Sequence, residues 1–337
     1  MARMAGAAIL GLLGFLLFCE LLFRVLPVSS ATKAGYYIDA DIQTYAPHHP
    51  WRYSTGWDLR NPQYLSTNNY GFVSAHDFKR DESAIALVGD SYVESASLPA
   101  DDRPAAQLER ALGGRRPVYA MGAAGTALLD YAERIRFAHE TFGIRDYVLM
   151  MERGDVRQSL CGSGNVHSRC LDPVTLDPRT ERRPPASMAK QLLRSSSFAQ
   201  YLVSQLKIEP AKLLQQAFMQ RAPASIGSAP PRPMSDIDAV TRAFFERVKP
   251  HIAGRLVIVV DSNRPALMRS TPVSDPERDR FIELARTAGA IVVDTEPIYR
   301  SHFERSKLSL DIGPYDGHFN AIGVKLLAVS AAQAFSL

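Results

Sequence analysis

From Ala84 onward, short apolar runs alternate with amphipathic stretches, and this alternation constrains the fold more than any other feature of the sequence. Ala84-Ile85-Ala86-Leu87-Val88, stopped by Gly89, reads as a buried parallel strand. Asp101 to Leu112 reads as a helix closed by Gly113-Gly114, and Pro117-Val118-Tyr119-Ala120-Met121, ended by Gly122, as a second strand. Leu128 to Phe142 carries Leu128, Tyr131, Ile135, Ala138 and Phe142 on one helical face and stops at Gly143. Tyr147 to Met151 is a third strand. After a break, the pattern resumes with a helix over Ile237 to Val248, a fourth strand Leu256 to Val260, a helix Asp279 to Ala288 and a fifth strand Ile291 to Val293. A last helix runs from about Ala321 to Ala334. Strand-helix repetition at this spacing requires right-handed crossovers. The predicted domain is therefore α/β: a three-layer α/β/α sandwich around a five-stranded parallel sheet.

The break, about 156–234, contains Arg179-Thr180-Glu181-Arg182-Arg183-Pro184-Pro185 and the proline-rich Ala229-Pro230-Pro231-Arg232-Pro233. Helices are expected at about Met188–Leu206 and Pro210–Met219. It is read as a helical insertion that packs as a cap or lies near the bilayer, the other reading being a solvated linker. Residues 31–80, polar and aromatic with Pro47, Pro50 and Pro62, read as an irregular lead-in or short hairpins. The expected catalytic domain is 81–337, and 1–30 is set apart.

That N-terminal segment is apolar from Ala5 to Phe23 except for Glu20. Nineteen helical residues reach roughly 28 Å, close to the hydrocarbon thickness of a bilayer. Glu20 and Arg24 can pair on one helix face, and Arg3 ahead of the span favours an inside N-terminus. The expectation is a single-pass anchor in the cell (inner) membrane with the remainder periplasmic. A signal peptide cleaved near Ser29-Ser30-Ala31 and a buried core helix are the competing readings. Cys161 and Cys170 flank a short loop and are expected to form a disulfide in such a compartment; two unpaired thiols are the alternative. The net charge of +4 over 337 residues, without a basic stripe, makes no case for nucleic acid. No metal or nucleotide motif is visible, and no cofactor is expected: Gly122 to Gly125 lacks the residues that complete a phosphate loop.

Two short segments carry chemistry. Gly89-Asp90-Ser91 follows the first strand, at the sheet edge where ligands gather in such folds. By itself it is also a plain turn with Asp90 or Ser91 capping a helix. Asp316-Gly317-His318-Phe319-Asn320 lies after the fifth strand, in what reads as a loop before the final helix. A serine hydroxyl needs a base to accept its proton, and the base needs a carboxylate on its other nitrogen. Ser91 is thus the candidate nucleophile, His318 the base and Asp316 its partner. Asp261, ending the fourth strand, is expected to cap a helix instead.

The order of these segments resembles the SGNH (GDSL-type) hydrolase superfamily over about Asn68 to Val156 and Leu256 to the C-terminus. Asn68-Asn69-Tyr70-Gly71-Phe72 and Ala86-Leu87-Val88-Gly89-Asp90-Ser91 are similar to its first block and lead-in. Met121-Gly122-Ala123-Ala124-Gly125-Thr126 resembles the second block, and Asp316-Gly317-His318 with Asn320 and Gly323 the last. The resemblance implies a flavodoxin-like fold and an acyl-enzyme on Ser91, with its oxyanion held by the amides of Ser91 and Gly125. Two positions depart from the pattern. Gly154, in Glu152-Arg153-Gly154-Asp155-Val156, stands where the third block has an oxyanion-donating asparagine, so that a backbone amide there or the Arg153 guanidinium is left to substitute. The other expectation for Arg153 is an ion pair with Glu152 or Asp155. The usual acid position, three before the histidine, is Tyr315; Asp316 is two before, a spacing similar to alginate-type O-acetyltransferases of the superfamily. Three functions follow: an esterase acting on a small-molecule, lipid or glycan ester, an O-acyltransferase modifying an envelope or exported polysaccharide, or a binding or scaffold protein that keeps the fold without the activity.

Overall fold

A computed structural model describes residues 2–31, 33–206, 208, 233–313 and 316–336. The described residues divide into two compact units: those within 2–33, 50–65 and 184–208 form one, and those within 34–49, 66–183 and 233–336 the other.

The larger unit is built on five parallel strands: β1 Ile85–Gly89, β2 Val118–Gly122, β3 Asp146–Met151, β4 Leu256–Val260 and β5 Ile291–Asp294, in the order β5-β4-β3-β1-β2. The strands without an amphipathic pattern, β1, β2 and β4, are buried along their whole length, as a sheet covered on both faces demands. Within β1, Ala86 and Val88 point into one core with Tyr119, Tyr131, Ile135 and Phe244. Ile85 and Leu87 point into the other, with Leu108, Tyr299, Val324 and Leu327. That period of two assigns helices Leu128–Phe142, Ser235–Val248 and Pro276–Thr287 to the first face. Helices Pro104–Ala111, Glu296–Ser306 and Ala321–Ser336 cover the second. The fold is the three-layer α/β/α sandwich expected from the sequence. The strand order reverses between β1 and β3, and such a switch point opens a crevice at the carboxyl ends of the strands.

Several expected boundaries shift for local reasons. The helix expected from Asp101 begins at Pro104, because a residue before proline is pushed out of the helical region and Arg103 is extended. The helix expected from Asp279 begins at Pro276, capped by the Asp275 side chain, which accepts from the Arg278 N–H. The helix expected over Met188–Leu206 is broken: Met188–Ser195 ends at extended Ser196, whose hydroxyl caps the next short helix, Ser197–Gln200. A π-helical stretch, Tyr201–Gln205, follows. The expected helix at Pro210–Met219 lies outside the described residues. The lead-in holds two hairpins, Gly35–Asp39 with Ile42–Thr44 and Pro50–Thr55 with Arg60–Ser66. Asp316 and His318, expected in a loop, sit on a strand, Asp316–Phe319, paired antiparallel with Asp311–Gly313. Short helices Arg264–Met268 and Glu296–Ser306 were not foreseen.

In the smaller unit, residues Arg3–Val25 form the one helix among those described that is long and apolar enough to cross a membrane.

Candidate active site

The site begins with two glycines at the carboxyl ends of neighbouring strands. Gly89 and Gly122 are register partners across β1 and β2. A Cβ on Gly122 would lie 2.5 Å from the Glu94 nitrogen and 2.8 Å from Val93 Cβ, and one on Gly89 would lie 2.6 Å from the Met150 carbonyl oxygen. Real Cβ atoms do not approach so closely, so only glycine lets the short helix Ser91–Glu94 sit directly on the strand ends. Asp90 caps that helix, its Oδ1 accepting from the Tyr92 N–H at 2.8 Å. Buried Arg134 reaches up from helix Leu128–Phe142 and donates to the carbonyls of Gly89 (2.6 Å) and Met121 (3.3 Å), tying the two strand ends together.

Ser91 occupies the first turn of this helix. Its Oγ lies 2.9 Å from His318 Nε2, and His318 Nδ1 lies 2.6 Å from Asp316 Oδ1. The same Asp316 oxygen accepts the His318 backbone N–H at 3.0 Å. A two-residue spacing on a strand puts both side chains on the same face, which is how Asp316 reaches the ring. The hydrogen bond to Asp316 raises the His318 pKa above its usual 6.5, against the opposing effect of burial. This geometry permits proton transfer from the serine hydroxyl to the imidazole, with the imidazolium stabilised by the carboxylate.

A polar network without a sequence signature supports the histidine strand. Arg264 sits over the Phe319 ring, its guanidinium carbon 3.7 Å from the centroid, and donates to the Gly317 carbonyl at 2.5 Å and the Tyr92 hydroxyl at 3.0 Å. Its Nε lies 3.0 Å from Asp311 on the paired strand. Asp261, expected as a cap, instead accepts from the hydroxyls of Tyr92 (3.2 Å) and Tyr299 (3.0 Å). Asn263 is the cap of helix Arg264–Met268, accepting from the Ala266 N–H. Burial raises the Asp261 carboxyl, and the Arg264 charge opposes that rise.

Gly125 has φ +71°, which turns the second-block loop. Buried Glu94 holds this loop: its Oε2 accepts from the Ala124 N–H at 3.2 Å and from the Tyr45 hydroxyl at 2.9 Å. Burial pushes the Glu94 carboxyl up to about 7. The Gly154 N–H donates to Glu152 Oε2 at 2.7 Å. The Arg153 guanidinium lies 3.6 Å from the Asp275 carboxylate, an ion pair made to neither of the two acids expected from the sequence. A side-chain amide comes near the loop from elsewhere. Cys161 and Cys170 are joined as a disulfide, and within that loop Asn165 Oδ1 stands 3.7 Å from where a Cβ on Gly125 would be. Its Nδ2 donates to Gln158 Oε1 at 2.9 Å, and Gln158 Nε2 donates to Glu152 Oε2 at 3.3 Å. Neither Asn165 nor Glu94 falls in a recognisable motif, and only their approach to Gly122–Gly125 distinguishes them.

No protein-family profile matches the chain, and no curated protein matches it. Among solved structures it is similar to Axe2, an acetylxylan esterase from Geobacillus stearothermophilus, at 12% identity and a TM-score of 0.42, covering 77% of this chain and 96% of that one. It is similar to a member of the lipolytic protein G-D-S-L family from Veillonella parvula, at 11% identity and a TM-score of 0.41, covering 75% and 98%. A third similar structure is a putative arylesterase from Agrobacterium tumefaciens, at 13% identity and a TM-score of 0.37, covering 75% and 98%.

Proposed function

We propose that the chain is a serine esterase of SGNH type that cleaves O-acyl esters through an acyl-enzyme on Ser91. The observation that carries this reading is the hydrogen-bonded series Ser91 Oγ, His318, Asp316, with contacts of 2.9 and 2.6 Å, at the switch point of the sheet. His318 Nε2 takes the serine proton as Oγ bonds to the acyl carbon. The oxyanion accepts from the N–H groups of Ser91 and Gly125. As it collapses, the ester C–O bond breaks, and His318 returns the proton to the leaving alkoxide. Water then repeats the sequence on the acyl-enzyme, releasing the acid and free Ser91.

We assign the remaining oxyanion donor to Asn165. Its amide reaches Gly125 with Oδ1, an acceptor, and gives one N–H to Gln158, so donation to the oxyanion requires the amide to turn and present its second N–H. The backbone amide of Gly154 already serves Glu152, and Arg153 faces Asp275.

A second reading passes the acyl group to a sugar hydroxyl, making the chain an O-acyltransferase for an envelope or exported polysaccharide. The Asp-Gly-His spacing, closed by the Asp316–His318 backbone bond, favours it. In either case the N-terminal span anchors the chain in the inner membrane, with the catalytic unit periplasmic; the 161–170 disulfide suits that compartment. Wild type and Ser91→Ala are compared on p-nitrophenyl acetate, with and without a glycan acceptor. Hydrolysis abolished by the substitution is expected. Acceptor-stimulated loss of the acyl group with acylated sugar as product identifies transfer, and turnover by Ser91→Ala equal to wild type rejects both readings.

A further inference from the structure

The smaller unit holds an acidic residue inside its apolar helix and an apolar face outside it. The Glu20 carboxylate accepts from Ser196 Oγ at 2.7 Å, from the backbone N–H groups of Ser197 and Phe198 at 3.1 Å each, and from Arg24 Nε at 2.8 Å. It therefore satisfies the free amides at the start of helix Ser197–Gln200. Phe23 stacks on Tyr201 with ring centroids 4.2 Å apart. Arg52 donates to the carbonyls of Arg24 and Leu26, and Gln205 Nε2 to the Ser54 and Gly56 carbonyls. Hairpin, π-helical stretch and short helices thus form a collar fixed to the last turns of the apolar helix.

Helix Met188–Ser195 leads directly into that collar. Met188, Leu192 and Leu193 are 76%, 68% and 57% exposed. At helical spacing they share one arc, with Lys190, Gln191 and Arg194 on the other side. Trp57, whose carbonyl accepts the Tyr201 hydroxyl, is 69% exposed. Glu20 lies five residues before the helix end at Val25, about 7.5 Å along the axis. An interfacial helix buries its apolar face about 5–10 Å into the headgroup boundary. The collar is therefore fastened at the depth such a helix occupies, and Lys190 and Arg194 suit anionic headgroups.

We propose that Met188–Ser195 is a second membrane contact: an amphipathic helix lying in the interface of the leaflet where the span ends, on an anionic phospholipid surface. The proposal rests on the reading of Arg3–Val25 as a retained span. It gives Glu20 a purpose that a removed signal would not need, because cleavage near Ser29–Ala31 would strip Ser196 and its neighbours of their acceptor.

The test uses full-length protein in nanodiscs of mixed phosphatidylglycerol and phosphatidylcholine, in a Cys19→Ser background that keeps the 161–170 disulfide. An NBD label is placed at Leu192→Cys, Gln191→Cys or Leu12→Cys, and each variant is first matched to wild type by thermal melt. With 5-doxyl lipids, the label at 192 should be blue-shifted and lose emission while that at 191 does not. Quenching at 12 without quenching at 192 overturns the interfacial helix and leaves the span intact. No quenching at 12 overturns the span, and the proposal with it. Equal quenching at 191 and 192 overturns the orientation on which the proposal depends.

Discussion

His318 can act as a base only when neutral, and Asp316 raises its pKa above 6.5. The acid limb of kcat/KM for p-nitrophenyl acetate should therefore lie above pH 6.5, activity rising as pH passes through it. Asp316→Asn removes the stabilised imidazolium, so the limb should move to lower pH while the plateau falls by about 10⁴-fold. A pH–rate profile of both proteins checks this. Asn165→Ala should lower kcat by about 10²–10³-fold with KM little changed, the signature of a lost oxyanion donor. Glu94 gives a prediction about stability. Its folded pKa of about 7 exceeds the usual 4.5, so the folded state holds the proton more tightly than the unfolded one. Its contribution is greatest below pH 4.5 and is lost as pH rises to about 7. Melting across that window should show Glu94→Gln free of a loss that reaches up to about 3 kcal/mol in wild type. Ser91, His318 and Asp316 were legible as candidates because their roles demand those residue types and because their motifs fall in order along the chain. Asn165, Glu94 and Arg264 were not legible: an amide, a carboxylate and a guanidinium in ordinary loops or short helices mean nothing until the chain brings them beside Gly125, Ala124 and Gly317.

At the scale of elements, the disulfide loop and the histidine hairpin decide how well the site is held. The 161–170 bridge closes a loop with a sequence separation of 9, which should be worth about 2–3 kcal/mol through the unfolded chain. Cys161→Ser/Cys170→Ser should lower the melting temperature accordingly. It should also reduce esterase kcat, because Asn165 lies inside the loop; dithiothreitol on wild type should reproduce both effects. The apolar runs located the strands with little error, since a strand covered on both faces has no other sequence to adopt. Boundaries failed where local chemistry intervened: Pro104 and Pro276 moved helix starts, and the Ser196 hydroxyl ended a helix that apolar spacing alone would have continued. The Asp316 strand was read as a loop because a short edge hairpin rich in glycine and charge has no apolar alternation to announce it.

For the molecule as a whole, the sequence by itself determined the α/β class, the five-stranded parallel sheet, the apolar N-terminal helix and the short list of candidate site residues. Each of these depends on hydrophobic periodicity or on residue type, which are local properties of the chain. Tertiary structure alone decided that Ser91 and His318 meet across 227 positions, that Gly122 admits the Glu94 backbone, and that Asp261 supports tyrosines where a helix cap was expected. It also decided that Glu20 caps helix Ser197–Gln200, a helix far along the chain from it. Such pairings depend on strand order and on close packing between distant segments, and a buried polar group must find its partner wherever the fold brings one. No local pattern in the chain encodes that partner.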